Sequence, residues 1–286
     1  MEQPGTFHYQ QFDAGTIQIS YAEGPHTGKP FVFLHGGAEG GRSGYALLEM
    51  LSPHWHVYAP DLRGHGRSGR VPGQYRIQDY VPDISAFLQE VVQTPAVVMG
   101  HSLGANVGIM LAAQHPHLVR ALIVCDSPPF KHVAPPHTPQ LSKIVARCRE
   151  LAASGQTVAQ MATALREIAE GHAHDVFGKQ DDCLTFQAEN LRHVDPEVIT
   201  CIEDVERMNQ GYDAEILLQA ISSPVLFLQA DAAAGGLTTD EEISRALRLL
   251  REGRRVFLEG VSHATYKDQP ELVLQAITAF LSTLSA

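Results

Sequence analysis

Short apolar, β-branched runs recur along the chain and alternate with stretches whose apolar residues fall at helical spacing. TFHYQQF and TIQISYAEG, joined by the turn from Asp13 to Gly15, predict an opening antiparallel pair of strands. PFVFLHG, HVYAPDL, AVVMGHS, ALIVCDS, PVLFLQA and RRVFLEG predict six more. These runs lack the polar–apolar alternation of a half-exposed strand. They therefore suit strands covered on both faces, hence a mostly parallel eight-stranded sheet. Helices are expected over Ile77–Val92, where Tyr80, Ile84, Phe87, Leu88 and Val91 share a face, over Leu103–His115, and over Thr238–Leu250. The last has acidic residues in its first turn and arginines near its end, which suits the helix dipole. Strand, helix, strand repeated in this way is an α/β fold with helices on both faces of the sheet.

One stretch breaks the alternation. Between ALIVCDS and PVLFLQA lie proline-rich SPPFKHVAPPHTPQ, then amphipathic LSKIVARCRELAASG and TVAQMATALREIAEG, then PEVITCIEDVERM with proline at its start. Helices inserted at the carboxyl edge of a parallel sheet would cover its ligand crevice. The expected division is a core of 1–126 and 213–286 with a helical cap of 127–212. Phe130, Met161, Leu165, Phe177, Leu184, Phe186 and Met208 are candidates for its pocket lining, although the same residues suit the cap's own core.

Composition narrows the function classes. A formal charge of -11 with no basic stripe argues against nucleic acid as a partner. No apolar run approaches the roughly 20 residues that span a bilayer, so no membrane partner is expected. The opening MEQPGTFHYQ lacks the basic-then-apolar order of a secretory signal, which predicts a cytoplasmic protein. Cys125, Cys148, Cys183 and Cys201 show no framework or metal spacing and read as reduced thiols. His132, His137, His172, His174 and His193 fall near one another in sequence, but HAH at 172–174 has no third ligand at suitable spacing. No metal or cofactor is expected.

The candidate chemistry centres on VVMGHSLGANVG. Ser102 stands between Gly100 and Gly104, at the junction of a predicted strand and a predicted helix. Such a sharp turn forces the serine into a strained conformation and leaves no room for side chains at the flanking glycines. The hydroxyl is then raised above the sheet, with the Leu103 amide at the helix start aimed at a developing negative charge. A serine hydroxyl needs a base. EGVSHATYKDQP puts His263 just past the last strand, at the same carboxyl edge.

Four landmarks, FLHGGAEGG, DLRGHGRS, GHSLG and GVSHATYKDQP, stand in order from residue 31 to residue 270. In this the chain resembles the α/β-hydrolases, in particular cap-bearing esterase-like and epoxide-hydrolase-like members. The resemblance implies an oxyanion hole built from the amides of Gly37 and Leu103, and structural roles for Asp61–Ser68, His35 and His65. His101 is expected in the pocket wall or at the helix start. It also implies an acid behind His263. In most of the family this acid follows the strand PVLFLQA, where the expected slot here holds Ala233, with Asp231 two residues earlier. Some relatives, among them certain haloalkane dehalogenases and zearalenone-lactone hydrolases, carry the acid after the preceding strand. Asp126, 24 residues past Ser102, matches that arrangement. Asp126 is the favoured acid and Asp231 the alternative.

The expected activity is hydrolysis of a carboxylic ester or lactone of a small, largely apolar substrate through an acyl-enzyme. A serine at the elbow, in place of aspartate, argues against dehalogenase and epoxide-hydrolase chemistry. Two other readings remain open: a C–C bond hydrolase on the same triad, and a small-ligand sensor that does not turn its ligand over.

Overall fold

The computed structural model describes residues 7–130, 139–168, 176–178 and 182–284. All eight expected strands form: β1 (His8–Asp13), β2 (Gln18–Glu23), β3 (Lys29–Leu34), β4 (Trp55–Pro60), β5 (Ala96–His101), β6 (Val119–Cys125), β7 (Val225–Ala230) and β8 (Gly253–Leu258). They make one sheet in the order β1-β2-β4-β3-β5-β6-β7-β8. β1 pairs antiparallel with β2 and β2 with β4, while every later pair is parallel.

The period of two along each strand sends alternate residues to two separate cores. Val32, Leu34, Val98, Leu122, Val124, Val225 and Phe227 pack on one face with the helices Ile77–Phe87 and Leu103–Gln114 and the inserted helices. Phe31, Phe33, Val97, Met99, Ile123, Leu226 and Leu228 pack on the other, against Leu47, Leu48 and Leu51 of Tyr45–Leu51 and Val273, Ile277 and Phe280 of Pro270–Leu281. Burying each such side chain contributes about 1.5–3 kcal/mol, so both faces hold the sheet flat against its helices.

Departures from the expected pattern have local causes. The helix expected over Ile77–Val92 is α-helical only to Phe87; Leu88–Val92 is a wider π turn, ended by Gln93 at φ 63. PEVITCIEDVERM is two helices, Pro196–Glu203 and Val205–Met208. Asp204 leaves helical geometry between them and its carboxylate caps Arg207 N. The helices Tyr45–Leu51, Cys183–Leu191 and Ala214–Ala220 were not foreseen.

All four cysteines are buried. Among the described residues no helix is long and apolar enough to cross a membrane. His132, His137, His172 and His174 lie outside the described residues, and His193 is exposed.

Candidate active site

β5 delivers Ser102 at its carboxyl end, and Ser102 adopts φ 50, ψ -116, a conformation that a side chain disfavours. The glycines explain how the turn closes. A Cβ on Gly100 would stand 2.3 Å from Gly104 O, and one on Gly104 would stand 2.2 Å from Leu34 O. Ala38 (φ 60) and Asp126 (φ 38) also have positive φ, so among the described residues three of the four such non-glycine residues surround this site. Strain that clusters in this way marks residues held for what they do rather than for stability.

Asp126 leaves the end of β6 and meets His263, whose Nδ1 donates to Asp126 Oδ2 at 2.7 Å. The other donors to this carboxylate come from the loop after β7: Leu237 N at 3.0 Å, Thr238 Oγ1 at 2.9 Å and Thr238 N at 3.3 Å. Burial alone would raise the Asp126 pKa, but the His263 hydrogen bond and charge, with the Leu237 and Thr238 donors, hold it below the ordinary carboxylate value. Asp231 is elsewhere. Its carboxylate caps the short turn after β7 through Ala233 N (2.9 Å) and takes Gly260 N (3.0 Å). Of the two candidate acids, the fold brings only Asp126 to the imidazole.

Ser102, His263, Gly37 and Leu103 all line one cavity of about 140 Å³. No hydrogen bond joins Ser102 Oγ to His263 among the described residues, although both line the same cavity. The amides of Gly37 and Leu103 likewise have no acceptor among the described residues, so both stay free to donate into the cavity. The roof comes from the insertion: Ile144, Cys148, Phe177, Ile199, Ile202 and Met208 face the same space. Of the expected lining residues, only Phe177 and Met208 are there. Met161, Leu165 and Leu184 are buried among the inserted helices, while Phe130 lies under Arg245 and Phe186 beside Arg42.

The loop that carries Gly37 is held from beneath by histidines. His35 Nδ1 donates to Gly36 O (2.8 Å) and its Nε2 accepts from Leu62 N (2.9 Å), which fixes one neutral tautomer and ties the loop to DLRGHGRS. His65 packs edge-on against His35 and donates to Arg63 O (2.9 Å). In that second loop Asp61 accepts from Gly41 N and Arg67 N, and Arg63 forms a buried pair with Asp83 at 2.6 Å. These residues shape loops, as expected of them.

Burial lowers His35 to about 4 and His65 to about 3. The unfolded chain would protonate both near 6.5, so below that pH the unfolded state binds more protons and stability falls. The window runs from about pH 6.5 down to about 4, with His65 extending it to about 3. Urea unfolding at pH 7, 5.5 and 4 should show a loss on the order of 5 kcal/mol across that span. A flat profile would mean that the native state accepts these protons.

Sequence reasoning missed Glu39. This buried carboxylate takes Gly36 N and the Tyr266 hydroxyl, each at 3.0 Å, and pairs with Lys267. His101 Nδ1 lies 3.6 Å from it, and His101 Nε2 donates to the His263 carbonyl at 3.0 Å. Burial would raise the Glu39 pKa, yet Lys267 and His101 hold it well below the usual range. Glu39 thus links the Gly37 loop to the backbone of His263. The one signal was a lone acid inside a glycine-rich loop, HGGAEGG.

Residues 29–232 match the family model of the alpha/beta hydrolase fold. The chain belongs to the α/β-hydrolase fold family. This α/β hydrolase is 24% identical over 280 residues to 2-(acetamidomethylene)succinate hydrolase of Mesorhizobium japonicum, covering 96% of this chain and 95% of the relative. Among solved structures it resembles an N-formylmaleamic acid deformylase from Pseudomonas putida, with TM-score 0.77, 20% identity, and 95% and 100% of the two chains covered. It is also similar to the enol-lactonase from Burkholderia xenovorans, with TM-score 0.72, 19% identity, and 96% and 100% covered.

Proposed function

We propose that this α/β hydrolase is a serine hydrolase that cleaves a carboxylic ester or lactone of a small, uncharged, largely apolar substrate. The observation that carries this reading is the hydrogen-bonded Asp126–His263 pair in a cavity shared with the strained Ser102. Ser102 Oγ attacks the carbonyl carbon while His263 Nε2 takes its proton, and the amides of Gly37 and Leu103 hold the oxyanion. His263 returns the proton to the leaving alkoxide, which departs as alcohol or, in a lactone, as the free end of the acyl chain. It then deprotonates a water that attacks the acyl carbon, and gives that proton to Ser102 Oγ as the acyl group leaves. Asp126 stays ionised and keeps the imidazole in the required tautomer.

The lining bears on substrate class. Two of the relatives named above act on a succinate or a maleamic acid, both carrying carboxylates. The described lining of this cavity contains no lysine or arginine. Among the described residues a carboxylate there would meet the neutral side chains of Asn106, Ser127 and Asn209, which offset the desolvation of a charge less well than a cation does. Neutral acyl chains fit the aliphatic roof instead.

A fluorophosphonate probe should label wild type and leave Ser102→Ala unlabelled. In a panel of p-nitrophenyl esters and lactones, neutral substrates should exceed dicarboxylate analogues by on the order of a hundredfold in kcat/KM. Preference for dicarboxylates would overturn the substrate class. Turnover confined to a C–C bond substrate such as a diketone would replace ester chemistry on the same residues. Ligand-induced stabilisation with neither labelling nor turnover would make the protein a sensor.

A further inference from the structure

Across the sheet from Ser102, at the amino ends of the parallel strands, three side chains converge that the proposed chemistry does not use. Glu23 closes β2, His56 is the second residue of β4, and His26 lies in the connection from β2 to β3. Antiparallel register sets Glu23 opposite Tyr58, which puts His56 diagonally across the same face. His56 Nε2 stands 2.8 Å from Glu23 Oε1, and His26 Nε2 stands 3.7 Å from the same oxygen. The three ligand atoms all lie within 4.8 Å of one another.

We propose that Glu23, His26 and His56 form a binding site for a divalent transition-metal ion of the zinc type, which clamps the β2–β3 connection onto β4. Two imidazoles and a carboxylate are a donor set that zinc takes in tetrahedral geometry, with bonds of about 2.0–2.2 Å and water as the fourth ligand. Such bonds place ligand atoms about 3.3 Å apart, so the 3.7 Å pair is already near its bound spacing and the 2.8 Å pair opens slightly.

Supporting contacts of the kind that orient metal ligands are in place. Tyr58 Oη stands 3.2 Å from His56 Nδ1, so it can accept a hydrogen bond from the Nδ1–H that the ring carries once Nε2 binds metal. Gln10 Nε2 donates to Glu23 Oε2, and the Tyr21 hydroxyl donates to Gln10 Oε1 at 3.2 Å. The Glu23 and His56 side chains are 10% and 15% exposed, whereas His26 is 81% exposed. The carboxylate and one imidazole are thus preset in the sheet, and His26 is the arm that swings in.

The test uses the full chain, stripped with a chelator and titrated with zinc chloride by calorimetry in a non-coordinating buffer. Wild type should bind one ion that depends on these residues, and zinc should raise its Tm. His26→Ala and His56→Ala should each weaken that binding by at least about tenfold and abolish the Tm rise, while His193→Ala changes neither. His26 is exposed enough that its alanine variant will fold, so the result does not depend on His56→Ala. No zinc uptake at 100-fold molar excess, or uptake unchanged in His26→Ala, would overturn the site. Neither readout involves turnover, so this outcome is independent of the activity proposed for Ser102.

Discussion

Asp126→Asn is expected to lower kcat on neutral esters by about 10⁴ while leaving KM nearly unchanged, whereas Asp231→Asn changes kcat by less than about tenfold. The asymmetry follows from what each carboxylate touches. An asparagine at 126 that keeps its oxygen on the Thr238 amide and hydroxyl turns its NH₂ toward His263 Nδ1, and Leu237 N loses its acceptor. Nδ1 must then accept, which moves the ring proton to Nε2, where it faces the serine and cannot receive a second proton from it. The base is lost through its tautomer, with the fold intact. Asp231 only braces a turn and Gly260, so its amide variant gives up one of these two hydrogen bonds and leaves the imidazole untouched. Steady-state kinetics on both variants, with circular dichroism to confirm folding, checks this. If Asp126→Asn retains more than about a tenth of the wild-type kcat, the imidazole does not depend on that carboxylate.

The central strands were legible because a doubly covered strand is apolar along its length, whereas β1, exposed over most of its length, was legible as the partner of β2 across the turn from Asp13 to Gly15. Ser102 and His263 were legible because each lies just past a strand, where a parallel sheet gathers its functional ends. The acid was harder. Whether an aspartate after β6 can face the imidazole depends on its backbone, and nothing in the sequence around Asp126 fixes the φ of 38 that it adopts. Its stabilising donors, Leu237 and Thr238, lie 111 and 112 residues further on and have no motif of their own. Glu39 was invisible for the same reason: its partners Tyr266 and Lys267 are 227 and 228 residues away. The pocket lining failed differently. A hydrophobic residue on an inserted helix faces either the cavity or its neighbour helix, and composition does not choose between them. Met161 and Leu165 went to the helix core, while Ile144 and Ile202 reached the cavity.

Moving the acid to β6 also reassigns the loop after β7. In place of supplying an aspartate it supplies two amides and a hydroxyl, and Thr239 then caps the helix that follows. The carboxylate is therefore set from two strands at once, which resists rotation better than a side chain on one flexible turn. Its buried charge is tolerable because four donors surround it.

Ser102→Gly is expected to abolish turnover and, relative to Ser102→Ala, to make the protein more stable. Both variants remove the nucleophile, so both should lose on the order of 10⁶ in kcat. They differ in the backbone. At φ 50, ψ -116 a Cβ costs about 1–3 kcal/mol, and alanine keeps that cost whereas glycine does not. Glycine loses some of this advantage, about 0.5–1 kcal/mol, because its unfolded chain is more disordered. The Gly variant should therefore exceed the Ala variant by about 1–2 kcal/mol in urea unfolding. Equal stability of the two would show that the elbow stores no strain. Residual turnover in either above about 1% of wild type would remove Ser102 from the chemistry altogether, since the oxyanion amides of Gly37 and Leu103 alone do not sustain such a rate.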